Sequence, residues 1–170
     1  MFHVLENYIK NPERVYAHIA ENRESETLNE HLTLTLKYFK WIKQEKGLEQ
    51  VIDNFKHVLG DLACFDELLE AVFYMHDIGK VNGNFQVAKM KNKDLTFKAR
   101  EYTQHALLSA LLYLDYYYPK GKEWKIGGQQ VGAFCLTLIL NAYVISRHHT
   151  HLKDFKDFQE DLKKELKTIV

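Results

Sequence analysis

The sequence is poor in cysteine, poor in proline and free of any excess charge, and each lack excludes something. Two cysteines in 170 residues, Cys64 and Cys135, cannot staple a fold together. Both lie among apolar neighbours (Leu62, Ala63 and Phe65; Phe134 and Leu136), the setting of buried free thiols in a reducing compartment. Lysine plus arginine and aspartate plus glutamate balance at 23 each, so no global field steers the chain toward polyanions. Any nucleic-acid binding must come from a local patch. The longest apolar stretch, 131–145, is interrupted by Gly132, Thr137 and Asn141 and is too short to span a bilayer, so it reads as a buried helix. The first ten residues hold His3, Glu6 and Asn7 and lack the apolar core of a signal peptide. These absences together predict a cytoplasmic protein with no membrane partner. There is no glycine-rich phosphate loop and no DEAD/DEAH-type sequence, which excludes a helicase motor within the chain.

What is present is a chain able to build a core. Hydrophobic residues make up 46% and aromatics 13%, with ten tyrosines and ten phenylalanines, ample for one compact domain over residues 1–170. Two prolines and eight glycines, with no internal repeat, leave long uninterrupted stretches, and their periodicity is helical. Thr27 and Glu30 form a capping box ahead of Leu32, Leu36 and Phe39 on one stripe, a helix stopping near Gly47. A second helix over 48–58 ends at Gly60, and a strongly apolar one over 66–75 runs into His76-Asp77 and halts at Gly79. Residues 80–100 read as a polar loop, 102–117 as a helix, 119–128 as a turn-rich connection and 131–147 as the buried helix. An amphipathic closing helix over 154–169 carries Phe155, Phe158, Leu162 and Leu166. No segment alternates as a sheet strand does, so the predicted fold class is all-α.

Histidine positions mark the ends or inner faces of four of these helices: His31, His76, His105 and the pair His148-His149, with Asp77 directly after His76. Imidazole and carboxylate are the donor set for borderline divalent metals. Neighbouring residues on a helix project about 100° apart at roughly 3.6 residues per turn, so an adjacent pair can serve two nearby ions. A carboxylate between two ions can bridge them, one oxygen each.

The local words are more specific. The order His, His-Asp-x-x-Lys, His, His-His resembles the HD phosphohydrolase superfamily. Leu28-Asn29-Glu30-His31-Leu32, Met75-His76-Asp77-Ile78-Gly79-Lys80 with Phe85-Gln86, Gln104-His105 with Ser109-Ala110, and Ser146-Arg147-His148-His149 are similar to the motifs of one branch. That branch is the HD nuclease domain of CRISPR type I interference systems, and the resemblance covers roughly residues 31–151. It implies an HD-domain helical bundle with the metal site between helices. It implies one or two divalent ions, of manganese, nickel, cobalt or iron, with magnesium or zinc as alternatives. Metal ligands matched to the family are His31, His76 and Asp77 for a first position, and Asp77, His105, His148 and His149 for a second. The implied activity is metal-dependent endonucleolytic cleavage of single-stranded DNA in antiviral defence. The implied partners are a CRISPR helicase subunit and the RNA-guided surveillance complex. Asp77 and Lys80 are expected to be catalytic, Lys80 as a point charge on a phosphate oxygen or on developing transition-state charge.

One departure from the family concerns the last acidic ligand, which in relatives lies on a helix well past the His-His pair. Here the aspartates that follow are Asp154, Asp157 and Asp161, opposite the Phe155/Phe158/Leu162 stripe, where a solvated face is expected. Asp154 alone is kept as a candidate, and the first position is expected to be the weaker one, as though the C-terminal part of the family domain were missing. The 80–100 segment carries Lys80, Lys89, Lys91, Lys93, Lys98 and Arg100 against Asp94, with Phe85 and Phe97 between them. Cations for phosphates and rings for stacking suit a single strand, so Lys89, Lys91 and Lys93 are expected to contact substrate. Ser109, one turn beyond His105, is expected either to touch substrate or to be a helix-packing hydroxyl. Two other readings share these residues: a phosphohydrolase acting on nucleotides or cyclic nucleotides, and an inactive docking module of the interference complex.

Overall fold

The computed structural model describes residues 4–20, 24–95, 104–151 and 154–169. Seven α-helices are present among them: α1 (Leu28–Glu45), α2 (Glu49–Val58), α3 (Phe65–Met75), α4 (Gly83–Ala88), α5 (His105–Glu123), α6 (Gln130–Arg147) and α7 (Phe155–Ile169). The fold is all-α. The one exception is a short antiparallel ribbon, β1 (Tyr16–His18) with β2 (Glu26–Thr27), that the sequence pattern did not disclose. Strands this short hold too few residues for alternation to register. The pairing runs Tyr16 to Thr27 and His18 to Glu26, so β1 carries one residue more than β2, and that residue is Ala17. Such a bulge twists the strand and re-aims its side chains.

Helix α1 starts where the capping box places it. Glu30 N–H donates to Thr27 Oγ1 at 3.2 Å, and Thr27 N–H donates to the Glu30 carboxylate at 2.9 Å. The core gathers Leu28 and Leu32 from α1, Leu68, Ala71 and Met75 from α3, Tyr113 and Tyr117 from α5, and Leu138, Ala142 and Ile145 from α6, all nearly or fully buried. Phe39 stacks on Phe73 at 3.7 Å between ring centroids, joining α1 to α3. Asn141 on α6 donates both to the Tyr113 hydroxyl, 2.8 Å, and to the Leu68 carbonyl, 3.0 Å. Tyr113 and Tyr117 are therefore packing residues.

Three expectations change. Helix α5 does not stop before Pro119 but runs on to Glu123, with the proline inside it. Helix α6 is buried on one face only; Val131, Leu136, Ile139, Leu140 and Val144 are exposed on the other. Its 18 residues are long and apolar enough, by length and composition, to cross a membrane. Cys64 and Cys135 are free but half-buried instead of fully enclosed.

The 80–100 segment is also more ordered than a loop as far as residue 95. A 3-10 turn (Ile78–Val81) leads into α4, and Gln86 on α4 is fully buried. Its amide donates to the Tyr16 and Lys80 carbonyls, 2.8 Å each, and accepts from Tyr16 N–H at 3.0 Å and Asn92 Nδ2 at 3.1 Å. One side chain thus ties β1, the 3-10 turn and the following strand of chain together. Gln86→Leu is expected to destabilise the fold by about 3 kcal/mol or more, since each buried group left unsatisfied costs about 1–3 kcal/mol. Urea denaturation of the metal-free protein measures this.

Candidate metal centre

The site forms where four helix ends meet. His31 lies in the first turn of α1, and His76 and Asp77 follow the last residue of α3 as the chain turns into the 3-10 segment. His105 is the first residue of α5, and His148-His149 follow the last residue of α6. Helix ends suit this task because the chain can turn there, so adjacent residues reach one point from different directions.

Asp77 is the hub. Its carboxylate is buried, and its two oxygens face different partners. Oδ1 lies 3.0 Å from His105 Nε2, 3.0 Å from His148 Nε2 and 3.8 Å from His149 Nε2. Oδ2 lies 3.1 Å from His31 Nε2, 3.4 Å from His76 Nε2 and 2.8 Å from Lys80 Nζ. All six metal-ligand candidates are thus brought together. They form two donor groups that share Asp77: one with His105, His148 and His149, the other with His31 and His76. Burial would raise the Asp77 pKa, but hydrogen bonds from His105, His148, His31 and His76, wherever their Nε2 carries a proton, outweigh it and hold the carboxyl well below the usual carboxylate range.

The donor set fits a divalent ion on three counts. First, the rings are oriented from behind. His76 Nδ1 lies 2.9 Å from the Phe73 carbonyl oxygen and His148 Nδ1 lies 2.6 Å from that of Ile145. A carbonyl can only accept, so Nδ1 carries the proton and the Nε2 lone pair faces Asp77. A lone pair aimed at a carboxylate oxygen is repulsive unless a cation or proton sits between them. Second, His31 Nε2 is buried, points at Asp77 and has no hydrogen-bond partner. Third, two donors about 2.1 Å from one ion, at about 90–110°, lie roughly 3.0–3.4 Å apart. The His31, His76, His105 and His148 separations from Asp77 fall in that range, as does the 3.0 Å between His105 Nε2 and His149 Nε2. Burial first, then the nearby His148 and His105, lower the His149 pKa, which keeps that ring a free base near neutrality.

The remaining candidates fall differently. Lys80 is buried, its Nζ held by Asp77 Oδ2 and by the Ala17 carbonyl at 3.3 Å. That place revises the expected role. The ammonium is turned inward as a counter-charge to Asp77 and does not reach out to a phosphate oxygen. Ser109 is fully buried, and its Oγ accepts from the Gly79 N–H at 2.8 Å, so it packs α5 against the 3-10 turn, the second of the two roles expected for it. Lys89, Lys91 and Lys93 are exposed just beyond α4, whose Phe85 ring meets His105 edge-on at 4.8 Å. Phe97, Lys98 and Arg100 lie outside the described residues. Asp154 accepts from the Lys156 N–H at 2.8 Å and joins none of the donor groups found among the described residues. Asp161 stays partly solvated, its side chain 40% exposed, but its Oδ2 also pairs with Arg147 Nη2 at 3.0 Å and fastens α7 to the end of α6.

Two residues near the centre escaped the sequence reading. His18 and Glu26, paired across the ribbon, close on His31 from outside. No spacing rule reaches them, because a bulged ribbon brings them there. A cleft of about 600 Å³ opens beside the donors, bordered by Gln104, His105, Ser146, Arg147, His149 and Thr150. Comparison of the chain with protein-family models, with curated proteins and with solved structures finds no match.

Proposed function

We propose that this chain is a metal-dependent phosphodiesterase that cleaves single-stranded DNA, in the manner of the CRISPR type I HD nucleases its motifs resemble. The observation that carries the reading is the division of Asp77: two imidazole-lined positions, each using one oxygen of the same carboxylate. Divalent ions held there would supply Lewis acidity, activating water and neutralising charge on the scissile phosphate and leaving group. His105, His148, His149 and Asp77 Oδ1 would hold one ion; His31, His76 and Asp77 Oδ2 would hold the other. The chain's own contribution is orientation. The Phe73 and Ile145 carbonyls fix the ring tautomers, and Phe85 braces His105. Lys80 sits 2.8 Å from Oδ2, so the His31 position already faces a built-in cation and would bind its ion more weakly.

The cleft beside His105 and His149 lies among the start of α5, the end of α6 and α7, next to the proposed donors. The exposed Lys89, Lys91 and Lys93 offer charge to a phosphate backbone. A helicase subunit and an RNA-guided complex, in the cytoplasm, would be the partners that deliver the strand.

The test is a comparison of substrates after metal removal and reloading. Manganese, cobalt or nickel should support cutting of circular single-stranded DNA, because imidazole-rich sites favour these ions over magnesium. Turnover confined to nucleotides or cyclic nucleotides would shift the reading to a small-molecule phosphohydrolase. Metal bound without any hydrolysis would favour a docking module.

A further inference from the structure

Two of the proposed metal ligands, His76 and His148, share a pattern: a ring nitrogen turned inward, with an acceptor behind the ring to hold its proton. For His76 and His148 that acceptor is a backbone carbonyl three residues earlier. Among the described residues no such carbonyl stands behind His31; its Nδ1 instead faces Glu26 Oε2 at 3.4 Å, while its Nε2 is buried, without a hydrogen-bond partner, and 3.1 Å from Asp77 Oδ2. We propose that Glu26 is a positioning residue for the metal centre, its carboxylate accepting the Nδ1–H of His31 and so turning the Nε2 lone pair onto the His31/His76/Asp77 position. The inference rests on the reading of that position as a metal site.

The chemistry favours this over a third ion held by His18, Glu26 and His31. A neutral imidazole has one lone pair. If Nε2 spends it toward Asp77, Nδ1 carries the proton and offers nothing to a cation on the ribbon side. Glu26 Oε2 is nevertheless well placed for that proton, with His18 Nε2 further away at 3.8 Å. A carboxylate behind a ligating histidine raises the basicity of the ring as well as fixing its tautomer. It also supplies a negative charge on the one position where Lys80 works against an ion. Glu26 is held in place from both sides. Its strand pairs it with His18 across the bulge, and the next residue, Thr27, is locked by the capping box of α1. The acid sought after the His-His pair thus has a counterpart before His31, acting through the ring.

The experiment uses the full chain labelled with ¹⁵N at histidine, in two arms without substrate. In the zinc-loaded protein, long-range ¹H–¹⁵N spectra should show His31 with its proton on Nδ1 and its Nε2 on the ion, and Glu26→Ala should leave a larger share of His31 as the Nε2–H tautomer facing Asp77. In calorimetric titration with zinc or manganese, Glu26→Ala should weaken the His31/His76/Asp77 position by about 10–100-fold, the usual effect of losing an outer partner. The His105/His148/His149 position should hold its affinity. Glu26→Gln, which keeps an acceptor oxygen without the charge, should fall between wild type and Glu26→Ala, and His18→Ala should change either affinity by less than about twofold. An Nε2–H tautomer at His31 in the wild type would overturn the proposal, as would equal weakening of both positions, or of neither. So would one ion fewer in His18→Ala, which would make the three side chains a cation site of their own. Failure of DNA cleavage would leave the tautomer result standing. Failure of the wild type to bind any metal would sink the proposed function and with it the role of Glu26, whereas metal binding with an unchanged His31 position in Glu26→Ala would sink the role of Glu26 alone.

Discussion

Asp77→Ala is expected to abolish metal binding at both positions, with affinity falling more than about a hundredfold, beyond the 10–100-fold typical of losing a mere outer partner. One substitution reaches both because the two donor groups share this carboxylate and it supplies their negative charge. DNA cleavage should drop by about a thousandfold or more, equivalent to roughly 4 kcal/mol of barrier. A second effect is independent of metal. Lys80 is buried against Asp77, and leaving a buried ammonium without its partner costs about 3–5 kcal/mol. The two effects separate in the Asp77→Ala/Lys80→Met double variant, which should recover much of the lost stability and none of the metal affinity. Stability is to be compared on metal-free protein, since bound ions stabilise the folded state by mass action. Tight binding of two ions by Asp77→Ala would show that the histidines alone make the site.

Gly79→Ala should be nearly as damaging, although Gly79 touches no metal. A Cβ at this position would overlap the His105 carbonyl oxygen and lie 2.7 Å from the Ser109 backbone nitrogen. Both obstacles are backbone atoms of α5, which cannot rotate away, so the first turn of that helix must move. Overpacking ordinarily costs about 1–3 kcal/mol, and the backbone clash places this case at the upper end or beyond. His105 heads the displaced turn, so the His105/His148/His149 position should lose at least about tenfold in affinity while the His31 position changes little. Ser109→Ala is the informative comparison. It removes the acceptor of the Gly79 N–H and should cost about 1–3 kcal/mol of stability. KM for an oligonucleotide should be unchanged, whereas a direct substrate contact by Ser109 would raise it.

Much of the site was legible because its residues sit at helix ends that local rules can find. The Thr27/Glu30 box places the start of α1 one turn before His31, and the apolar stripe of α3 runs out at His76-Asp77. Periodicity likewise located α6 and with it His148-His149, although it could not tell a helix buried all round from one buried on a single face. The roles of Lys80, Ser109 and Gln86 were not legible. A lysine after a helix stop reads as a cation open to a phosphate, a serine one turn past a histidine reads as available, and a glutamine in a polar run reads as loop. Each is buried by a segment distant in sequence: Lys80 and Gln86 by the ribbon, Ser109 by the 3-10 turn.

The sequence by itself determined the all-α class, the helix ends and the identity of the inner donors, because capping, periodicity and donor chemistry act over a few residues. The tertiary structure alone decided which oxygen of Asp77 each histidine meets, and that Lys80 turns inward. It also decided that Glu26 and His18 approach His31, and that Asp154 does not join the site. The physical reason is that these are matters of approach between segments. A bulge of one residue at Ala17 rotates a two-strand ribbon onto the first turn of α1, and no local preference encodes that rotation.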